Sequence, residues 1–290
     1  SALFKIPANT PIALQPLDAE GKAMQVMRSW FAARNGEYLS CVGCHEPASF
    51  TPQTVATKTP AKPAAIEPWR GPFRNFEFAR EVQPVLDAYC VRCHNQPDPP
   101  MSERFGDRPW KPDLRGDVMI TDWHTKMAGQ APKNMAGKFS VAYANLYRYV
   151  RRPGIESDIH LFVPMEWHAD TTELLLLLQK GHHGVRLSEE ALDRLVTWID
   201  YNAPYHGRWQ TIVDASSATA KESQRAEMRA RYAGIEENHE SIETPPVKLV
   251  GAEPLPEQPR AAGDTACDGW PFDPASKPSS AATPLDLGDG

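Results

Sequence analysis

Apolar residues recur at helical spacing in the stretch that precedes residue 90. Val82, Val85, Leu86 and Tyr89 fall at positions i, i+3, i+4 and i+7, which places them on one face of a helix. Pro84 suits the first turn of such a helix, where a backbone N–H is not needed. The pattern predicts a short helix that ends directly before the sequence CVRCH.

Three more helices are predicted downstream. The first covers residues 141–150, and the second covers 173–180 and is followed by Gly181, a favourable residue just beyond a helix end. The third follows Ser188, which can cap it. It has the most regular apolar stripe, made of Leu192, Leu195, Val196 and Ile199. We expect this closing helix to pack against the first helix with its aromatic residues.

Outside these helices the chain shows little apolar periodicity. Changes in residue pattern divide the whole chain into five segments. Residues 1–40 contain short strand-like runs and are predicted to be a β segment, the remnant of a β-sandwich-type domain. A Pro-rich loop follows over 41–72, and the main helical domain covers 73–210. A polar helix over 211–233 precedes a Pro-rich tail, 234–290, which is expected to be extended or disordered.

Composition narrows the functional classes. The chain has 290 residues, of which 41% are hydrophobic, enough for a core in one or two domains. A net charge of −6 without a basic block argues against nucleic acid as a partner. The longest apolar run, residues 174–178, is too short to cross a bilayer, so no transmembrane segment is expected.

Two pentapeptides carry the most specific chemical signal in the sequence. Both have the spacing Cys-x-x-Cys-His, with Cys41, Cys44 and His45 in one and Cys90, Cys93 and His94 in the other. Two thiols at this spacing can add to the two vinyl groups of one porphyrin, and the adjacent imidazole can then bind the iron. The pattern predicts two covalently attached haem c groups, with His45 and His94 as proximal iron ligands.

A zinc site made of two Cys-x-x-Cys knuckles is the alternative interpretation. The knuckles are further apart than in a usual zinc ribbon, and each is followed at once by His, so the haem interpretation is preferred. The fifth cysteine, Cys267, lies in the Pro-rich tail and is expected to be an exposed or loosely packed thiol.

Covalent haem c also predicts a location and a fold class. Because the haem is attached after export, we expect a periplasmic or otherwise exported protein. No cleavable leader is visible, so the start is interpreted as a mature terminus or, preferably, as a cut inside a longer polypeptide. The expected fold is a mainly α cytochrome c-like haem domain with many irregular Pro-rich loops, preceded by the short β segment.

The second axial position of each iron decides between electron transfer and ligand chemistry. His182 and His183 lie between two glycines at a helix junction, and one of them is the preferred distal ligand of the second haem. Met165, in the run Val-Pro-Met, is its rival. His168 and His160 are the candidates for the first haem.

Several multi-residue stretches resemble a known family. Residues 24–29 (MQVMRS), 36–37 (GE) and 40–46 (SCVGCHE) resemble the first haem region of the hydrazine synthase alpha-subunit family. The stretches 83–87 (QPVLD), 168–170 (HAD), 180–184 (KGHHG) and 198–200 (WID) resemble planctomycete-type multidomain haem proteins with the same diheme region. The resemblance implies a catalytic first haem and an electron-transferring second haem with two His ligands. It also supports interpreting the chain as part of a larger protein.

One position departs from that family. The synthase has an iron-binding Tyr four residues beyond the motif His, and this chain has Ser49 there. His45 is therefore interpreted as an ordinary proximal ligand, and hydrazine synthesis is not carried over.

These observations are compatible with three functions. The first is a diheme electron-transfer module that serves redox partner proteins or other subunits or domains of a larger haem complex. The alternative is a haem enzyme whose open first haem acts on a small nitrogen compound or peroxide. A structural unit of a haem-bearing assembly, and therefore an oligomer, is a third interpretation.

Overall fold

The structure is a computed structural model that describes residues 2–25, 27, 30–41, 60–97, 111–120, 139–151, 168–212, 215–236, 247 and 249. Its helices are α1 (Phe78–Glu81), α2 (Gln83–Tyr89), α3 (Val141–Tyr147), α4 (Glu173–Gln179), α5 (Glu189–Asp200) and α6 (Ala215–Ala233). Three 3₁₀ turns, Ala169–Thr171, His182–Gly184 and Trp209–Thr211, connect the later helices. None of the helices in these ranges is both long and apolar enough to span a membrane.

The helix predicted before the second motif corresponds to α2, and the short helix α1, which was not predicted, directly precedes it. Pro84 lies in the first turn of α2, and Val82, Val85 and Leu86 are buried. The backbone N–H of Cys90 donates to Leu86 O at 2.8 Å and closes the last turn. The second motif therefore begins where α2 ends, in agreement with the spacing of its apolar residues.

Helix α5 begins as its sequence predicts, because the Ser188 hydroxyl accepts a hydrogen bond from the backbone N–H of Ala191 at 3.2 Å. The buried face of α5 differs from the predicted apolar stripe. Leu192 remains 36% exposed, whereas Ala191 is fully buried. The buried face of α5 also carries Arg194, a polar position that an apolar stripe could not reveal.

The centre of the core is aromatic. The Phe78 ring lies 5.3 Å from both the Tyr143 and Trp198 rings, measured between centroids, and 5.6 Å from the Tyr205 ring. Such aromatic pairs add about 0.5–1.5 kcal/mol each beyond the area they bury. Two of these side chains also form hydrogen bonds with their polar atoms. Trp198 Nε1 donates to Pro204 O at 3.0 Å, and the Tyr143 hydroxyl donates to Ala203 O at 2.9 Å. This cluster joins α1, α3 and α5.

A buried carboxylate connects the N-terminal segment to this core. Asp200, at the end of α5, accepts from the backbone N–H of Ala23 at 2.8 Å and from that of Ala169 at 2.9 Å. The side chain of Gln15 donates to Asp200 O at 2.7 Å. Asp200 thus fastens the N-terminal segment to the helical domain at two points, Gln15 and Ala23.

The N-terminal segment itself has isolated β-bridges, Phe4 with Ala64, Ile12 with Phe31 and Leu17 with Ala23, and no continuous strand within the ranges described. The β-sandwich remnant therefore stays a prediction. Helix α6 lies where the polar helix was expected, and most of its residues are exposed. The tail beyond residue 249 lies outside the described residues.

Candidate functional site: a histidine pair beside the second motif

The second motif forms a tight turn at the end of α2. The backbone N–H groups of Cys93 and His94 both donate to Cys90 O at 3.0 Å. Cys90 is half-buried, Cys93 is exposed, and neither is in a disulfide. The turn thus presents two thiols and the His94 imidazole from one short segment.

The ring orientation of His94 is fixed by a backbone carbonyl. Its Nδ1 lies 2.9 Å from Pro112 O. A carbonyl can only accept a hydrogen bond, so Nδ1 carries the proton and Nε2 keeps a free lone pair. The backbone N–H of Leu114 also donates to His94 O at 2.9 Å. This partner on the other ring nitrogen is typical of a metal-binding histidine.

A glycine-flanked turn brings two more histidines to this place. Gly181, with φ +90°, ends α4, and the turn His182–Gly184 follows. His183 itself has φ +47°, a left-handed conformation that is uncommon for any residue except glycine. The backbone leaves α4 in a sharp turn and places His182 on the inner side and His183 on the outer, exposed side.

The ring centroids of His94 and His182 are 6.0 Å apart and their planes differ by 31°. Two imidazoles that bind opposite faces of one metal ion, each through a bond of about 2 Å, have their centroids roughly 6 Å apart. The separation therefore fits a single iron between the two rings. His183 contacts His182 edge to face, with centroids 4.6 Å apart.

Electrostatics keeps both rings neutral. Burial lowers the pKa of His182 to about 4, helped by the neighbouring His183 and His94. Burial also lowers the pKa of His94, against the hydrogen bond to Pro112, which raises it. At neutral pH both imidazoles can therefore offer a lone pair, as a metal ligand must.

The other predicted ligands are placed as follows. His168 is buried, with 2% of its surface exposed, and its Nδ1 has no hydrogen-bond partner. Burial lowers the pKa of the His168 ring, against a hydrogen bond to the backbone of Met24, which raises it. Cys41 is exposed. The remaining predicted ligands lie outside the described residues: Cys44, His45, His160 and Met165.

Among the residues that the structure describes, no group of three or more His, Cys, Asp or Glu side chains could hold a metal ion. The predicted site is of another kind, because a haem iron needs only two protein ligands, on opposite faces of the porphyrin. The 6.0 Å separation of the His94 and His182 rings is compatible with such a pair.

Sequence reasoning did not find the groups that hold His94 in place. Pro112 lies outside the predicted helices, and a backbone carbonyl leaves no signature in side-chain chemistry. Gln83 and Asn145, which fasten that stretch, are polar residues on apolar helices. The sequence signal of these hydrogen bonds was the presence of Gln83 and Asn145 among the apolar residues of two predicted helices.

The comparisons with known proteins bear on the other end of the chain. Residues 1–46 match the sequence model of a family described as the hydrazine synthase alpha subunit middle domain. No curated protein and no solved structure matches the chain. The N-terminal stretch, which includes the first motif, is thus similar to part of the hydrazine synthase alpha subunit. The resemblance of residues beyond 46 stays a prediction.

Proposed function

We propose that the chain is a diheme c-type cytochrome module that transfers electrons, as part of a larger exported redox protein or complex. Cys90 and Cys93 would tether the second haem, and the imidazoles of His94 and His182 would bind its iron. The observation that carries the proposal is the 6.0 Å separation of these two rings beside a Cys-x-x-Cys-His turn.

Each residue at the second site has a definite task. The two thiols tether the porphyrin, and the bond from His94 Nδ1 to Pro112 O directs Nε2 away from the backbone. The left-handed turn at Gly181 places the His182 ring with its centroid 6.0 Å from that of His94. The haem supplies one-electron oxidation and reduction, and two strong-field ligands leave no open position for a substrate.

The first haem is proposed to be bound through Cys41 and Cys44, with His45 as the proximal ligand. Its support is the motif and the family match, which covers residues 1–46 and so includes the complete motif. A mainly α cytochrome c-like domain and an exported location follow from the same proposal, since haem c is attached outside the cytoplasm.

The family match also favours a second candidate function. Because the matched region belongs to an alpha subunit described as part of a synthase, the first haem could be the site of a reaction. The alternative is therefore a haem enzyme in which this iron lacks a distal protein ligand and binds a small nitrogen compound or peroxide. His45 has Ser49 four residues beyond it, so the reaction is not proposed to be hydrazine synthesis.

The visible spectrum of the dithionite-reduced protein, before and after carbon monoxide is added, separates the two functions. A pyridine haemochrome assay gives the number of haems per chain. Two haems without a carbon monoxide shift support the electron-transfer module. A shift in about half of the haem supports an open first haem, and no covalent haem contradicts both.

A further inference from the structure

Two buried amide side chains fasten the segment whose carbonyl holds His94. The side-chain NH₂ of Asn145, in α3, donates to Asp113 O at 2.9 Å. The side-chain NH₂ of Gln83, in α2, donates to Leu114 O at 3.0 Å. Asn145 is 2% exposed and Gln83 is 8% exposed, so water does not compete well for either bond.

These bonds act on the residues next to Pro112, the acceptor for His94. Asp113 and Leu114 follow Pro112 directly, and the N–H of Leu114 donates back to His94 O at 2.9 Å. Three hydrogen bonds from three different elements therefore fix this short backbone stretch. It cannot move away from the imidazole unless one of them breaks.

Further contacts hold residues 113–116 against Gln83. The Asp113 carboxylate accepts from the Arg115 guanidinium at 2.7 Å, so it does not compete for the amide groups. Gly116 packs directly on Gln83, because a Cβ at this position would lie 2.5 Å from Gln83 Cγ and 2.8 Å from Gln83 Oε1. The absence of a side chain at Gly116 is thus required for the observed position of Gln83.

We propose that Asn145 and Gln83 are positioning residues that set the reduction potential of the haem bound by His94, because they fix Pro112 O against His94 Nδ1. The inference rests on the proposed function, since it presumes a haem at the second motif. Neither residue would touch the iron. They act through the carbonyl of Pro112.

The chemistry gives the direction of the effect. A hydrogen bond from Nδ1 to a carbonyl makes an imidazole a more basic ligand, and a more basic ligand stabilises ferric over ferrous iron. If the segment loosens, the bond weakens and the oxidised state loses stabilisation. The potential of the second haem then becomes more positive.

The test compares the full-length holoprotein with Asn145→Ala and Gln83→Leu, each of which removes one donor. Spectroelectrochemical titration gives the midpoint potentials, and the pyridine haemochrome assay gives the haem content. We expect the more negative, two-histidine haem to shift to a more positive potential in both variants, with the haem content unchanged.

Ser140→Ala is the matched control, because Ser140 caps the same helix α3 by accepting from the Tyr143 N–H at 3.2 Å. It weakens α3 without removing a donor to residues 112–114. An equal shift in this control, or unchanged potentials in Asn145→Ala and Gln83→Leu, would overturn the inference.

Gly116→Ala keeps the test decisive if Asn145→Ala does not accumulate as folded protein. It displaces Gln83 without changing its chemistry, and the same positive shift is expected; an unchanged potential contradicts the inference. Failure of the proposed function has a different signature, since a chain without haem on Cys90 and Cys93 would show no second-haem potential in the wild type.

Discussion

The ring centroids of His94 and His182 are 6.0 Å apart, although α3, α4 and two long connections lie between these residues in the sequence. A pair at this distance needs both a motif turn at the end of α2 and a glycine-flanked turn at the end of α4. The two turns are built independently, and the hydrophobic core that α2 and α4 share with α5 brings them together.

Replacing His182 should open the second iron. In His182→Ala, we expect reduced second haem to bind carbon monoxide, because the distal ligand is gone while His94 remains held by Pro112. His183→Ala is the matched control and should leave the second haem unable to bind carbon monoxide. Optical titration with carbon monoxide measures both. A carbon monoxide adduct in His183→Ala but not in His182→Ala would reverse the assignment within the pair.

Gly181→Ala should disturb the same ligand through the backbone. Gly181 has φ +90°, and a left-handed conformation costs a residue with a Cβ about 1–2 kcal/mol. No atom lies within 4 Å of the added methyl group, so strain is the whole effect. We expect a loss of about 1–2 kcal/mol of unfolding free energy in urea titrations. A neutral or stabilised variant would show that the turn does not have this conformation.

Glu81 should be among the most sensitive charged positions. It is 1% exposed, and its carboxylate accepts from Arg74 at 2.7 and 2.8 Å and pairs with Arg194. Burial opposes its ionisation, but the hydrogen bonds from Arg74 and Arg80 outweigh burial and hold its pKa below the usual value. Glu81→Ala leaves buried guanidinium groups without this carboxylate, so we expect a loss of about 3–5 kcal/mol.

Urea denaturation measures that loss, with Glu227→Ala on the exposed surface of α6 as the control. The control should change the unfolding free energy by no more than about 0.5 kcal/mol. Equal effects of the two substitutions would mean that the buried charge network does not support the core.

Asp200 should make stability depend on pH. Burial raises its pKa from 3.8 to about 6, despite hydrogen bonds from Ala23 and Ala169 that lower it. The folded protein therefore binds this proton more tightly than the unfolded chain, so this contribution to stability falls as the pH rises through about 6. Asp200→Asn cannot ionise and should lose that part of the pH dependence.

Urea midpoints between about pH 4 and about pH 7 provide the measurement. Asp117→Asn, at an exposed position, should keep the pH dependence of the parent protein. If Asp200→Asn keeps it as well, another group is responsible for the effect.

The sequence alone identified the local features of the site. Apolar spacing predicted α2 and its end at Cys90, and Ser188 and Gly181 marked helix boundaries because capping is decided within a few residues. The motif predicted His94 as the proximal ligand in the same way. The sequence did not show whether His182 or His183 is the better candidate ligand. That choice depends on how the left-handed turn orients each imidazole ring, which the residue types do not reveal.

Other features depend on contacts between distant segments. Arg194 faces the interior because Glu81, from another helix, is there to receive it. Asp200 is buried because backbone N–H groups from two other segments converge on it. Leu192 fits the apolar period of α5 but lies at its rim, because the neighbouring elements determine how much of the stripe is covered.

A chain that carries only the second haem tests the central claim most directly. In the double variant Cys41→Ala, Cys44→Ala, the pyridine haemochrome assay should show one haem per chain. Its reduced spectrum should not change with carbon monoxide, and the oxidised haem should give a low-spin electron paramagnetic resonance signal, because His94 and His182 would both bind the iron. A haem-free chain, or one haem that binds carbon monoxide, would contradict the account.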